Sequence, residues 1–455
     1  MLWPVAVFAL VFAIYNANGR EITSWDSHPL RFTAIELAAR GTLTLDRAVA
    51  ALPVLKFLPG VAVDVDGRYR SAYPVLPAVL AAGMAKALET IGVLDLAAPD
   101  AGTLVAKLTA SALTAFGVAC AFVVVRRRLR PWPALFAAAG FGLGTNLWAV
   151  ASQTLWQTET AVASLGGVAL CLAVPADRLT GRRLGVAAML LGIAGAARPQ
   201  LAPAIAVMAV SIAGRRGRLK DLWTLVPLAL ITGAVLALNV RWFGHPLGAM
   251  PMLEARHATD HALAGTFANP LGGAAGLLVS PSRGLLIFSP VVAVVLAAGA
   301  ALWRASWRDD LRWWACAATV QFAFYASYSV WWGGHTYGPR YCLDILPLLV
   351  PVAAAGLPWL LARGWRRAAA AGALAWSCLL AGTGAFVYPN DGWNITPVNV
   401  DQDHARLWDW RDPQFARCWR SAPSASNFRL WTTASYQVPA VAPDGAGGRR
   451  VGESR

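Results

Sequence analysis

Apolar runs of about twenty residues recur from one end of this chain to the other, and they constrain its fold more than any other feature. A helix of that length spans the hydrocarbon core of a bilayer. The runs are continuous rather than alternating, which excludes a membrane barrel. Of the 455 residues, 57% are hydrophobic and 14% are charged, whereas roughly a quarter are charged in a soluble domain. The sequence therefore predicts an all-α polytopic membrane protein.

About eleven of these runs are interpreted as transmembrane helices. They lie at residues 2–17, 103–125, 132–151, 158–175, 184–197, 199–214, 222–241, 284–303, 311–332, 341–362 and 367–388. Residues 73–88 are also apolar, but two early prolines and Lys86 favour a helix at the membrane interface. We predict a transmembrane unit at 1–388, whose first outer loop is 18–102, and a partly disordered extracytoplasmic tail at 389–455.

The net charge of +15 is concentrated in short arginine clusters. With the N-terminus in the cytoplasm, the positive-inside rule puts all of these clusters on one side, so no nucleic-acid partner is needed to explain the charge. The first loop, a turn near 152–160, the loop 242–283 and the tail then share the outer face. The competing topology puts the first loop in the cytoplasm, in accordance with the seven Lys and Arg residues of its part 18–72. The clusters are at residues 126–130, 178–183, 215–220, 303–312 and 363–367.

A polar stretch at 21–31 follows the first apolar run, where a membrane helix should emerge into water. It contains Trp25, a residue type that favours the interface. Asp26 is the first candidate for a catalytic group, and His28 and Arg31 are candidate contacts to a sugar or an acceptor. An aspartate just outside a helix is also often a cap or a solvated loop residue, and this alternative stays open.

A second polar stretch, at 331–341, joins two late apolar runs. Its glycines, and Pro339 after Gly338, predict a tight turn. His335 and Arg340 within this turn are placed to meet an anionic head group, and the planar guanidinium of arginine suits phosphate. Tyr337 is a further candidate for contact with the sugar or acceptor. For Arg340 the alternative is a side chain that extends to a lipid head group.

Two further helix starts carry candidate residues. Arg283 lies at the start of a predicted helix, and the partial positive charge of a helix N-terminus favours phosphate binding there. Gln157 and Glu159 are candidates for a sugar hydroxyl, and Glu159 with Asp26 for a metal ion. A helix cap is the alternative at both places. Arg198 divides two apolar runs, and an arginine so deep in apolar sequence indicates function unless its side chain extends to the interface.

Several classes of chemistry have no support in the sequence. There is no P-loop, GxSxG elbow, HExxH pair or dinucleotide fingerprint, so nothing indicates chemistry driven by a cytosolic nucleotide. The six cysteines show no CxxC spacing, so neither a zinc site nor a disulfide framework is indicated. No repeat with interrupted helices appears in two halves, which argues against a secondary transporter.

The order of these features resembles integral-membrane glycosyltransferases of the GT-C superfamily. The resemblance covers residues 1–388 and rests on an acidic loop after the first helix, Tyr-Pro-x-x-Pro at 73–77 and Tyr-Gly-Pro-Arg-Tyr at 337–341. Smaller matches are at 144–148, 241–246 and 280–285. Bacterial members related to protein mannosyltransferases, and actinobacterial arabinofuranosyltransferases and mannosyltransferases, are the most similar.

The resemblance implies transfer of a sugar from a polyprenyl-phosphate donor to a hydroxyl of a cell-envelope glycan, lipid or protein. The reaction would take place on the extracytoplasmic side of a bacterial inner (plasma) membrane, with inversion at the anomeric carbon. Asp26 matches the family's acidic residue and would be the base. Arg340, His335 and Arg283 would bind the donor phosphate, and Glu159 a sugar hydroxyl. The segment 73–88 would shape the groove for the lipid tail.

No cofactor is certain, but the resemblance allows a divalent cation, Mg²⁺ or Mn²⁺, at Asp26 or Glu159. Many relatives have two acids in the first loop, or glycine before the aspartate, whereas this chain has Trp25-Asp26-Ser27. Metal use and activity are therefore open. A lipid or small-molecule transporter and an inactive GT-C-like partner protein are the alternative functions.

Overall fold

The computed structural model describes residues 2–24, 26–214, 219–260, 266–306 and 309–432, and this part of the chain is mostly helical. Trp25 and the end of the predicted tail, 433–455, lie outside the described residues. The helices are α1 Leu2–Asn16, α2 His28–Arg40, α3 Asp46–Ala51, α4 Leu76–Thr90, α5 Ala101–Arg126, α6 Pro131–Gly142, α7 Thr158–Leu172, α8 Gly181–Ala197, α9 Ala202–Gly214, α10 Val226–Phe243, α11 Met250–Asp260, α12 Pro270–Val279, α13 Leu285–Phe288, α14 Pro290–Ser306, α15 Asp309–Ala326, α16 Leu346–Leu361, α17 Gly364–Phe386, α18 Gln414–Arg420 and α19 Arg429–Thr432.

The predicted all-α class is confirmed apart from one hairpin, β1 (Val61–Val63) with β2 (Tyr69–Ser71). Each of the predicted apolar runs contains a helix or a pair of helices, although the helix of the run 311–332 ends at Ala326. Among the described residues, three helices are long and apolar enough to cross a membrane: Ala101–Arg126, Leu222–Phe243 and Gly364–Phe386. Six shorter apolar helices accompany them. The figure of eleven spans therefore stays a prediction.

Two of the apolar runs are interrupted in the structure. The run 132–151 is α-helical only to Gly142 and ends in a π-helical turn at Leu147–Ala151. Between these segments, Asn146 donates from Nδ2 to the carbonyl of Tyr337 at 2.7 Å. The run 284–303 divides into α13 and α14 before Pro290, whose missing N–H ends a helical ladder. Periodicity does not reveal such breaks, since both halves remain apolar.

Helix α5 lies at the centre of the bundle and packs against α1, α6, α7 and α16. Its contact with α7 depends on Gly117, because a Cβ there would come within 2.6 Å of the Val162 side chain. Small residues allow this close approach between membrane helices. The fully buried Phe122 fills the same core further along the helix.

The arginine clusters at 126–130 and 363–367 lie at the opposite end of the helices from the start of the first loop. At one end, Arg127 donates from Nη1 to the carbonyl of Leu170 at 2.7 Å, so the ends of α5 and α7 meet beside the first cluster. Helix α17 begins within the last cluster and ends at the other side of the bundle. There the carbonyl of Ala385 accepts from Asn18 at 2.9 Å and from Arg20 at 3.0 Å.

The segment predicted to be the first outer loop, residues 18–102, is largely structured. Helix α2 begins at His28 with Pro29 in its first turn, and it ends at Gly41, whose φ of 67° requires the left-handed region. It packs against α4, the segment predicted to lie at the interface, and against α5. The polar linker before α2 is thereby held over the N-terminal end of α5.

Candidate active site

A cavity of about 350 Å³ opens at the end of the bundle away from the arginine clusters at 126–130 and 363–367. Its walls come from distant parts of the chain: the linker before α2, the turn before α7, helix α11 and the segment 328–341. Residues 387–432, which follow α17 and are called the C-terminal segment below, contribute Asp401 to the cavity wall. Both polar and apolar side chains face the space, as is common in sites for small ligands.

Asp26 lies in this cavity between a tyrosine and an arginine. Its Oδ1 accepts a hydrogen bond of 2.9 Å from the Tyr73 hydroxyl, and its Oδ2 is 3.6 Å from Arg340 Nη1. Burial, together with the neighbouring Asp26 carboxylate, holds the pKa of Tyr73 well above its ordinary value. Tyr73 therefore stays a donor, and Asp26 is an oriented carboxylate with its side chain 30% exposed.

Arg340 is held by aromatic rings. Its guanidinium carbon is 4.8 Å from the centre of the Trp156 ring and 5.8 Å from that of Tyr341. The buried Nε has no hydrogen-bond partner among the described residues. The predicted tight turn is confirmed, since Gly333, Gly334 and Gly338 all have positive φ. Arg340 therefore lines the cavity with a guanidinium whose hydrogen-bonding capacity is not filled by the protein, and such a group suits an anionic ligand.

His335 and Gln157 complete the predicted residues that line the cavity. His335 Nε2 lies 2.8 Å from Asn399 Oδ1 and 3.3 Å from Asp401 Oδ2. Gln157 precedes α7 with a φ of 73°, which for a residue other than glycine is uncommon. The structure therefore brings two of the predicted phosphate-binding residues beside the predicted base.

Arg283 is not brought to the cavity. It is fully buried, and it donates to the side chains of Gln414 at 2.6 Å and Asn394 at 2.7 Å. Its other bonds go to carbonyls of Ser282, Trp332 and Gly334. All its N–H groups are occupied by the protein, so in this structure it offers no donor to a phosphate. It joins the turn before α13 to the C-terminal segment.

Replacing Arg283 by lysine is expected to destabilise the protein. A lysine keeps the charge but cannot reach the same set of acceptors, and hydrogen bonds to a charged group contribute about 1.5–3 kcal/mol each. We expect a lower apparent Tm in detergent and faster proteolysis of the C-terminal segment. The exposed Arg411→Lys in that segment is the control. Equal stability of both variants would contradict the structural role of Arg283.

Glu159 and Tyr337 are also turned away from the cavity. Glu159 is fully buried, and its Oε2 accepts from the backbone N–H of Trp156 at 3.0 Å, as in a helix cap. Tyr337 is fully buried and donates to the Leu380 carbonyl at 2.9 Å. Asp26 and Glu159 therefore do not fit a shared Mg²⁺ or Mn²⁺. Within the described ranges, no group of three His, Cys, Asp or Glu residues is placed to hold a metal.

His28 and Arg31 lie behind the Asp26 linker rather than in the cavity. Arg31 forms an ion pair of 2.7 Å with Glu21, a residue that the sequence did not single out, and Glu21 also accepts from Thr154. Burial raises the pKa of Glu21, and the arginine and threonine oppose that change. Burial, aided by Arg31, lowers the pKa of His28 to about 4, so its imidazole is neutral. These contacts position the linker that carries Asp26.

The cavity also contains residues that sequence reasoning missed or left undecided. Arg198 lines it, and its charge is balanced by the fully buried Asp344, which also accepts from the Tyr325 hydroxyl at 2.6 Å. The isolated position of Arg198 in apolar sequence was a usable signal. Tyr73 belongs to the Tyr-Pro-x-x-Pro motif, which the resemblance assigns to the groove for the lipid tail. Asp401, in the polar tail, carried no signal.

Replacing Asp344 by alanine is expected to lower the free energy of unfolding by about 3–5 kcal/mol, because it leaves the Arg198 charge buried without its partner. The exposed pair of Lys86 and Glu89, 2.7 Å apart, supplies the control. Glu89→Ala should cost only about 0–1 kcal/mol. Apparent Tm values in detergent test this prediction, and equal shifts for the two variants would contradict it.

The fold is similar to that of a solved membrane protein, ArnT, and the likeness proposed from the sequence is confirmed at the level of the fold. ArnT from Cupriavidus metallidurans, solved with bound undecaprenyl phosphate, aligns with a TM-score of 0.52 at 14% identity. The alignment covers 86% of this chain and 66% of ArnT, so the chain spans slightly less than two thirds of that relative. At this identity the likeness concerns the fold alone.

Two other solved structures give lower scores. Apo ArnT from the same organism aligns with a TM-score of 0.46 at 15% identity, over 89% of this chain and 67% of that one. The Archaeoglobus fulgidus oligosaccharyltransferase, in complex with zinc and sulfate, gives 0.49 at 14% identity, over 90% and 57%. No protein-family model and no curated protein matches the sequence.

Proposed function

We propose that this protein transfers a sugar from a polyprenyl-phosphate-linked donor to an acceptor hydroxyl. The observation that carries the proposal is the pairing of Asp26 with Arg340 across one cavity, with 3.6 Å between carboxylate and guanidinium. A base and an anion-binding group are the two parts that such a transfer requires. The ArnT structure that shares the fold holds undecaprenyl phosphate, a lipid of the proposed donor type.

In the proposed reaction, the acceptor oxygen attacks the anomeric carbon while the bond from that carbon to the phosphate oxygen breaks. Asp26 takes the proton of the attacking hydroxyl, and the Tyr73 hydroxyl keeps the carboxylate oriented. The leaving phosphate gains negative charge, which Arg340 and His335 stabilise. Because this is a single displacement, the product has inverted anomeric configuration.

The proposed reaction takes place at the extracytoplasmic side of a bacterial inner membrane. The cavity lies at the opposite end of the helices from the arginine clusters at 126–130 and 363–367, and the positive-inside rule assigns these clusters to the cytoplasm. Gln157 is a proposed contact for the sugar or the acceptor, since it lines the cavity beside Trp156. The acceptor is a hydroxyl of a cell-envelope glycan, lipid or protein.

The test is transfer of radiolabelled sugar in proteoliposomes from a panel of polyprenyl-phosphate donors, including mannosyl and arabinofuranosyl forms. Labelled product that requires both protein and donor supports the proposal. Movement of a lipid or solute across the membrane without transfer would favour a transporter. No transfer with any donor, from protein that is folded and binds polyprenyl phosphate, would favour an inactive partner protein.

A further inference from the structure

The side of the cavity opposite the first loop is built from the C-terminal segment. Asp401 accepts a hydrogen bond of 2.7 Å from Trp332 Nε1 through Oδ1, and it faces His335 Nε2 at 3.3 Å through Oδ2. Asn399 Oδ1 lies 2.8 Å from the same ring nitrogen. One carboxylate and one amide therefore converge on a single nitrogen of a cavity histidine.

These contacts determine which nitrogen of His335 carries a proton. Asn399 Oδ1 also accepts from the backbone N–H of Asp401 at 2.9 Å. A backbone N–H can only donate, so this atom of Asn399 is the oxygen rather than the amide nitrogen. Two acceptors then face Nε2, which must be protonated. Nδ1 has no partner in the described part of the chain and is not among its buried unpartnered atoms, so on this cavity-lining residue it is accessible to a ligand.

The C-terminal segment, which supplies these two acceptors, packs tightly against the rest of the protein. Trp332 and Trp393 are almost fully buried in a cluster with Val400 and Leu407. The ring of His404 lies 4.2 Å from the Trp332 ring, and the carbonyl of Leu407 accepts a hydrogen bond from Ser280. A fixed backbone on both sides of Asn399 and Asp401 is what a positioning role requires.

We propose that Asn399 and Asp401 are positioning residues that hold His335 with its proton on Nε2 and its Nδ1 directed at the ligand. The C-terminal segment thereby contributes to the reaction by positioning His335, and it does not merely shield the cavity from water. The inference rests on the proposed function. When His335 carries a second proton, Nδ1 donates to the leaving phosphate while Asp401 balances the charge of the ring. The interaction strengthens as charge develops on the phosphate, so it acts on kcat more than on donor KM.

The kinetic test compares Asp401→Asn with Asp403→Asn in the transfer assay. Asparagine at 401 retains an oxygen for Trp332 but removes the charge beside His335. We expect kcat to fall roughly tenfold to a hundredfold, as when a group that orients a histidine is lost, with donor KM little changed. Asp403, whose carboxylate accepts from the Ala405 N–H at 3.1 Å outside the cavity lining, is the matched control.

A double variant distinguishes a role of Asp401 in positioning His335 from a role in stabilising the fold. If Asp401 acts through His335, adding Asp401→Asn to His335→Ala lowers kcat no further. A further loss equal to that of the single variant would overturn the inference, as would full activity of Asp401→Asn.

A second readout does not depend on transfer. In protein labelled with ¹⁵N-histidine, the His335 signals are identified by their loss in His335→Ala. We expect Nε2 to be protonated in the wild type, and the tautomer preference to weaken in Asn399→Ala. An unprotonated Nε2 in the wild type would refute the inference even if transfer is observed. Absence of transfer with Nε2 protonated would instead count against the proposed function.

Discussion

Asp26→Asn is expected to lower kcat for sugar transfer by roughly 10²–10⁴-fold while donor binding is retained. Asparagine has nearly the same shape and still accepts from Tyr73, but it cannot take a proton from the acceptor hydroxyl. The measurement is turnover of radiolabelled donor in proteoliposomes, together with a separate binding assay with unlabelled donor.

The control for this variant is Asp95→Asn. Asp95 is exposed in the same predicted outer loop, and it accepts from the Ala97 N–H at 2.7 Å without lining the cavity. The Asp95→Asn variant should transfer sugar at the wild-type rate. Wild-type turnover by Asp26→Asn would remove this residue from the mechanism and assign the proton transfer elsewhere in the cavity.

Arg340→Lys is expected to lower kcat/KM by roughly 10²–10³-fold, the usual effect of removing one group that stabilises transition-state charge. Lysine keeps the positive charge, but it loses the planar fork for phosphate and the stacking on Trp156. Product formation at several donor concentrations would separate the losses in binding and in turnover.

Arg367→Lys is the matched control for Arg340→Lys, since Arg367 is exposed and belongs to the cluster at the opposite end of the bundle. It should keep wild-type kinetics. If the two lysine variants behaved alike, the phosphate would have to bind away from Arg340. A loss confined to folded yield would indicate that Arg340 supports the fold instead.

Much of the candidate site could be predicted because its residues sit in unusual local sequence. Asp26 follows an apolar run, and Arg340 lies in a turn whose glycines have positive φ. These local sequence features can be recognised without knowledge of the fold. Arg283 and Glu159 had signals of the same kind, but the structure buries both against protein partners. A polar residue at a helix start looks alike in sequence whether its partner is a ligand or a backbone N–H.

The sequence by itself determined the membrane class, the helices and the arginine clusters, because hydrophobic length and charge act residue by residue along the chain. Only the tertiary structure decided which polar groups meet. Tyr73 lies 47 positions from Asp26, and Asn399 lies 64 positions from His335. Such pairs depend on how the helices pack, and packing depends on side-chain shapes from many segments at once. The cavity is therefore a property of the folded bundle, whereas the helices that surround it are already evident in the sequence.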